Sequence, residues 1–119
     1  MVLRTVVGGT TITQLAEKSY PTKDSISMAN CDFFIFTVFS GAGTVGLMTR
    51  TCVTIPGDVF KHNYYQDCSW VNSQNKEAWV SVCYETATSV KVKAGGDLMT
   101  ANTFAFALHG FYKVTNMPN

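Results

Sequence analysis

The chain has 119 residues, a usual size for one domain, and its nine Lys and Arg against eight Asp and Glu give a net charge of +1. Charged residues make up only 14% of the sequence and the basic ones are scattered singly, which excludes an electrostatic footprint for nucleic acid. No apolar run approaches the ~20 residues of a membrane helix, and the N-terminus lacks a secretory pattern. We therefore predict one soluble domain over 1–119, without membrane insertion.

Short segments rich in Val, Thr, Phe and Tyr alternate with Gly, Pro and polar clusters, a spacing typical of a sandwich or barrel. Strands are predicted, in chain order, at 3–7, 25–28, 32–39, 44–55, 59–65, 69–71, 78–85, 89–93 and 103–114. The only predicted helix is a turn or two near 12–19, where Ile12, Leu15 and Ala16 share a face. The fold class expected is all-β, an antiparallel β-sandwich or jelly roll of about eight to nine short strands.

The last predicted strand, within "NTFAFALHGFYKV" (102–114), is apolar on both faces. In a two-layer sandwich each sheet has one core face, so a second apolar face needs a cover. We predict that this second face is a subunit contact in a symmetric homo-oligomer. Its residues are Ala105, Ala107, His109 and Phe111. The alternative is that the N-terminal segment and the loop 16–28 fold over this sheet within one chain.

The sequence offers little for catalysis or for a metal. There is no nucleophile elbow, phosphate loop or HExxH motif, and the carboxylates are isolated. His62 lies near Asp58 and Asp67, but nothing in the spacing requires an acid–base pair. The cysteines, which show no CxxC or CxxH spacing, are Cys31, Cys52, Cys68 and Cys83. We predict no enzyme, no cofactor and no metal, and favour buried thiols over the alternative of a disulfide.

The stretch "FKHNYYQDCSWV" (60–71) is the predicted recognition surface. Its aromatic rings can stack on the apolar face of a sugar while neighbouring polar groups bond its hydroxyls. The predicted ligand-binding residues are His62, Asn63, Tyr64, Tyr65, Asp67 and Trp70. The alternative is that these rings belong to the core, since Tyr and Trp also fit the pleat of a sheet.

The glycine-punctuated run of strands over about 30–114, rich in Thr, Ser, Asn and aromatic residues and closed by "NTFAFALHGFYKV", resembles the β-sandwich heads of phage tail fibres. It is similar in the same way to trimeric jelly rolls of the tumour-necrosis-factor and C1q type. The resemblance implies a homotrimeric, non-enzymatic receptor-binding head that contacts a surface glycan or protein. It also implies a place in a virion or outside the cell after lysis.

Two other functions stay open at this stage. One is a freestanding lectin-like carbohydrate-binding module, and the other is a structural or decoration subunit of a virus particle. Residues 1–28 are a candidate N-terminal arm or docking segment, because a chain end is loose unless something ties it down.

Overall fold

The fold consists of β-strands joined by short turns. A computed structural model describes residues 1–12, 17–40, 48–62, 64–71, 75, 77–96 and 104–117, with the backbone alone at 9–12, 40, 48–52, 70, 71 and 104. In chain order the strands are β1 (Val2–Ile12), β2 (Lys18–Pro21), β3 (Phe33–Ser40), β4 (Met48–Pro56), β5 (Gln66–Val71), β6 (Glu77–Thr86), β7 (Ser89–Gly95) and β8 (Phe104–Tyr112). A four-residue helix, α1 (Gly57–Phe60), follows β4.

The described strands pair into two four-stranded sheets. The first sheet has the spatial order β1-β8-β3-β4 and the second sheet has the order β2-β7-β6-β5. Every pairing between described strands is antiparallel. The predicted all-β antiparallel sandwich is therefore confirmed, and β8 lies between the first strand of the chain and β3.

The core lies between the two sheets and follows from the period-two alternation of the strands. In the first sheet, the inward residues with no exposed surface include Phe34, Phe36, Val38, Phe106 and Leu108. The second sheet contributes Val80, Val82, Val90 and Val92. Burial of one such side chain stabilises the fold by roughly 1.5–3 kcal/mol. Alternation therefore sets which face of each sheet points inward and leaves the opposite faces for other contacts.

Helix α1 closes one end of this core. Phe60 at its end is fully buried, with its ring centroid 4.7 Å from that of Phe34 and 5.9 Å from that of Tyr84. A side chain at Gly57 would place Cβ 2.1 Å from the carbonyl oxygen of Cys31, so only glycine fits where the helix begins. The predicted strand 59–65 is therefore wrong where it is described, because 59–62 form a helical turn that brings Phe60 inward and 64–65 precede β5.

Two other predicted elements also differ in the structure. Residues Lys23–Ser25 form a 3-10 turn, so the predicted strand 25–28 is wrong. The segment that follows crosses the end of the sandwich, where the Met28 N–H donates to the carbonyl of Ala87 at 2.7 Å. The predicted helix 12–19 is wrong where it is described, since its ends lie in β1 and β2, and residues 13–16 are outside the described residues.

Buried polar groups tie this crossing segment to β8. The Tyr112 hydroxyl donates to the carbonyl of Ser27 at 2.8 Å, and the Cys31 thiol lies 3.5 Å from the carbonyl oxygen of Phe111, to which it donates. Cys31 is 2% exposed, and burial raises the pKa of its thiol to about 11. Burial also raises the pKa of Tyr112. Both groups are therefore held in their neutral forms in the folded protein.

The other cysteines fit the same picture as far as they are described. Cys68 and Cys83 are buried thiols like Cys31. The Cys68 thiol donates to the carbonyl of Phe36 at 3.7 Å, in the core between the sheets. The side chain of Cys52 is outside the described residues, so the prediction of buried thiols is confirmed for Cys31, Cys68 and Cys83.

The raised pKa of Cys31 predicts a loss of stability in alkali. Its ordinary value is 9.0 and its folded value is about 11, so the folded state holds the proton more tightly and the contribution present below pH 9 is lost between pH 9 and pH 11. The loss is at most about 2–3 kcal/mol. Urea unfolding below pH 9 and at pH 11 should show a larger fall in the free energy of unfolding for the wild type than for Cys31→Ala. Equal falls would show that folding does not raise the pKa of Cys31.

Candidate ligand-binding site

Polar and aromatic side chains from three strands meet on the outward face of the second sheet. The register pairs β5 with β6 and β6 with β7, so residues from all three stand in rows across the sheet. The rows are Asp67–Ser81–Lys93 and Ser69–Trp79–Gly95. Neighbours within a row are about 5 Å apart, and successive rows on one face are about 7 Å apart. Residues far apart in sequence are therefore within reach of one small ligand.

The indole of Trp79 lies over the backbone of Gly95. A Cβ atom at Gly95 would be 2.3 Å from Cζ2 and 2.5 Å from Cε2 of the ring, so the ring occupies the space that a side chain on β7 would take. Glycine inside a strand often marks such a close approach. Trp79 stays partly exposed, and its ring is an aromatic platform on the sheet surface.

The Asp67 carboxylate is held by its neighbour in the row. Ser81 Oγ donates a short hydrogen bond to Asp67 Oδ1. Ser81 is 1% exposed, whereas Asp67 is exposed. An ionised carboxylate has about four lone-pair sites, so Asp67 keeps acceptor capacity for a ligand. Ser81 thus orients the Asp67 carboxylate, which can still accept hydrogen bonds from a ligand.

Lys93 crosses the middle strand to reach the far side of the site. Its Nζ lies 4.0 Å from the ring centroid of Tyr65, which precedes β5. A cation over an aromatic face is attracted by about 0.5–1 kcal/mol at an exposed site. The Tyr65 hydroxyl is buried and has no hydrogen-bond partner among the described residues. Lys93 and Tyr65 together close one side of the site.

These groups surround a shallow pocket of about 500 Å³. Small-molecule sites commonly enclose about 300–1,000 Å³. The lining residues are Tyr65, Asp67, Ser69, Glu77, Trp79, Ser81 and Lys93. The pocket therefore combines two aromatic rings with two carboxylates, two serine hydroxyls and one ammonium group.

The structure brings two of the predicted ligand-binding residues, Tyr65 and Asp67, into this pocket. His62 and Tyr64 are exposed between α1 and β5 and are not part of its lining. Asn63 and the side chain of Trp70 are outside the described residues. Within the described structure, His62 makes neither a hydrogen bond nor an ion pair with Asp58 or Asp67.

The ligand-binding residues predicted from the sequence do not include those that β6 and β7 contribute to the pocket. Alternation in 77–86 and 89–95 puts Trp79, Ser81 and Lys93 on the outward faces of their strands. The two-residue turn between Thr86 and Ser89 then fixes which of them are neighbours. The sequence therefore contains the pattern that predicts these pocket residues, but the pattern is spread over paired strands and does not lie in one continuous stretch.

The predicted interface residues lie on the outward face of the first sheet. Phe111 stacks on Phe33 with ring centroids 4.6 Å apart, and Ala105 and Ala107 are 8% and 5% exposed. His109 lies between them and is partly exposed. The described part of the loop 16–28, the alternative cover for this face, instead adds β2 to the second sheet.

Comparisons with known proteins do not indicate a ligand for this pocket. No protein-family model, no curated protein and no solved structure matches the chain. Among the described residues, no group of three or more His, Cys, Asp or Glu side chains is placed to hold a metal ion. No described helix is long and apolar enough to cross a membrane. The ligand must therefore be inferred from the pocket itself.

The position of Trp79 can be tested by filling the space beneath it. Gly95→Ala should displace the indole and lower the free energy of unfolding by about 1–3 kcal/mol, because the new methyl group has no room. Gly8→Ala is the matched control, since nothing lies within 4 Å of a Cβ at that strand position. The readouts are the indole N–H resonance of Trp79 in NMR spectra and urea unfolding. Equal effects of the two substitutions would contradict the packing of Trp79 on Gly95.

Proposed function

We propose that this chain is a non-enzymatic recognition and adhesion module that binds a surface glycan in the pocket of the second sheet. The observation that carries the proposal is the Trp79 indole held over Gly95 beside the hydrogen-bonded Asp67 carboxylate. A flat aromatic face suits the apolar face of a sugar ring, and a few placed polar groups can fix its orientation.

The arrangement of carboxylates supports binding without hydrolysis. Glycosidases use two carboxyl groups about 5–10 Å apart. Glu77 pairs with Val71, which is four residues along β5 from Asp67. At about 3.3 Å per residue, this register separates the two backbone positions by about 13 Å along the strand. The backbones of this pair thus lie farther apart than the carboxyl groups of a glycosidase pair.

The apolar outward face of the first sheet supports a more specific setting. We propose a homotrimeric head, as at the tip of a phage tail fibre, in which Phe111 and its neighbours on this face pack against other copies. The same face favours a second candidate function, a structural or decoration subunit of a virus particle that contacts neighbouring subunits. A freestanding lectin-like module would use the pocket alone.

Glycan binding can be tested on an array of neutral and acidic glycans. Wild-type protein should bind at least one glycan, and Trp79→Ala should lose at least tenfold in binding because the platform is removed, whereas Trp79→Phe should retain part of it. Tyr64→Ala is a matched control, since this exposed ring lies outside the pocket. An array without binding above background would overturn the glycan proposal and favour the structural subunit.

The trimer can be tested by light scattering on a sizing column. The expected mass is three times 13.0 kDa. His109→Glu should convert the trimer to monomer, because it places a charge in the apolar contact. Ser69→Glu, which adds the same charge to the outward face of the second sheet, should leave the mass unchanged. A wild-type monomer at all concentrations would contradict the fibre-head setting and favour the freestanding module.

A further inference from the structure

We propose that the pocket prefers a neutral pyranose ring over a sugar acid, with the apolar face of the ring on Trp79 and neighbouring ring hydroxyls donating hydrogen bonds to Asp67. This inference rests on the proposed function and goes beyond it by naming the class of sugar. It excludes sugar acids, such as uronic acids, as preferred ligands.

The charges of the pocket disfavour an anionic sugar. Asp67 and Glu77 carry two negative charges against the single positive charge of Lys93. Further along the same face, Glu85 accepts a hydrogen bond from Ser19 Oγ at 2.9 Å, while Lys91 is paired with Glu17 at 4.0 Å, so the surroundings of the pocket do not offset its negative charge. A sugar carboxylate in this pocket would therefore be repelled more than it is attracted.

Lys93 limits how a cationic ligand could use the aromatic rings of this pocket. Its ammonium group already occupies the face of Tyr65, so the two rings of the pocket cannot enclose a second cation. The cation-binding face is thus taken by a residue of the protein.

The remaining groups match hydroxyls. Asp67 offers acceptors only, and its orientation is set by Ser81 beneath it. Lys93 offers donors only, and its ammonium group makes no ion pair with a described carboxylate. A ligand that satisfies both must donate and accept with closely spaced groups, as neighbouring ring hydroxyls do. The exposed indole requires in addition a flat patch of C–H groups, which one side of a pyranose ring provides.

The proposal can be tested by comparing the binding of neutral and charged glycans on the array. Binding of single sugars is then measured in solution. Glycans that bind the wild type but not Trp79→Ala should carry an uncharged sugar at the position that contacts the pocket. NMR titration with the methyl glycosides of galactose, glucose and mannose should shift the Trp79 indole resonance. The matching uronic acid glycosides should bind about three- to tenfold more weakly, because the pocket is net negative.

Substitution of the carboxylate supplies the second readout. Asp67→Asn should weaken neutral sugars at least tenfold and reduce the discrimination against uronic acids, since the charged acceptor is lost. Glu17→Gln is the matched control on the same sheet face: it removes one negative charge next to Lys91, outside the pocket, and should leave sugar binding unchanged.

The two proposals fail in different ways. Trp79-dependent binding of acidic glycans, with equal or tighter binding of the uronic acids, would overturn the uncharged ligand while leaving glycan recognition intact. Glycan binding that is the same in wild type and Trp79→Ala would overturn this pocket as the site. An array without any binding would overturn the proposed function and this inference with it.

Discussion

The insertion of β8 between β1 and β3 is the constraint on which the rest of the sandwich depends. β8 pairs along its length with both neighbours, and so joins the two ends of the chain to the middle of the first sheet. Just beyond it, the Lys113 N–H donates to the Asp32 carboxylate at 2.6 Å. Because these contacts join residues far apart in sequence, forming them costs loop-closure entropy, which must be offset by other contacts as the core forms. The inward face of β8 then holds the second sheet in place.

Much of this architecture could be predicted from the sequence, because period two shows directly in β3, β6, β7 and β8. Phe34 and Phe36 are buried and Phe33 is not, as alternation requires once a single core face is chosen. The elements that were wrong have no such period. Residues 57–60 form a helix because Phe60 must fill the end of the core, and no local pattern reports that need. Strand β2 is a four-residue edge whose partner, β7, lies some seventy positions away.

The pocket could be predicted only in part, for a related reason. Tyr65 and Asp67 belong to one aromatic and polar stretch, which a single pass along the chain detects. Trp79 and Lys93 reach the same place through the register of two hairpins, and register is a property of strand pairs. A binding site built across a sheet is therefore harder to find from sequence than one built on a loop.

Two residues of the second sheet with a low preference for β-strands, Gly95 and Ser81, lie at this pocket. Gly95 is a glycine at the end of β7, and Ser81 is a serine buried at the centre of β6. Each is less favourable than a β-branched residue at the same position. The outward face of the first sheet shows the opposite choice, with Phe33 and Phe111 stacked where strand formation is favoured. Local exceptions to good strand chemistry are expected where a protein binds something, because a ligand needs an open platform and oriented polar groups.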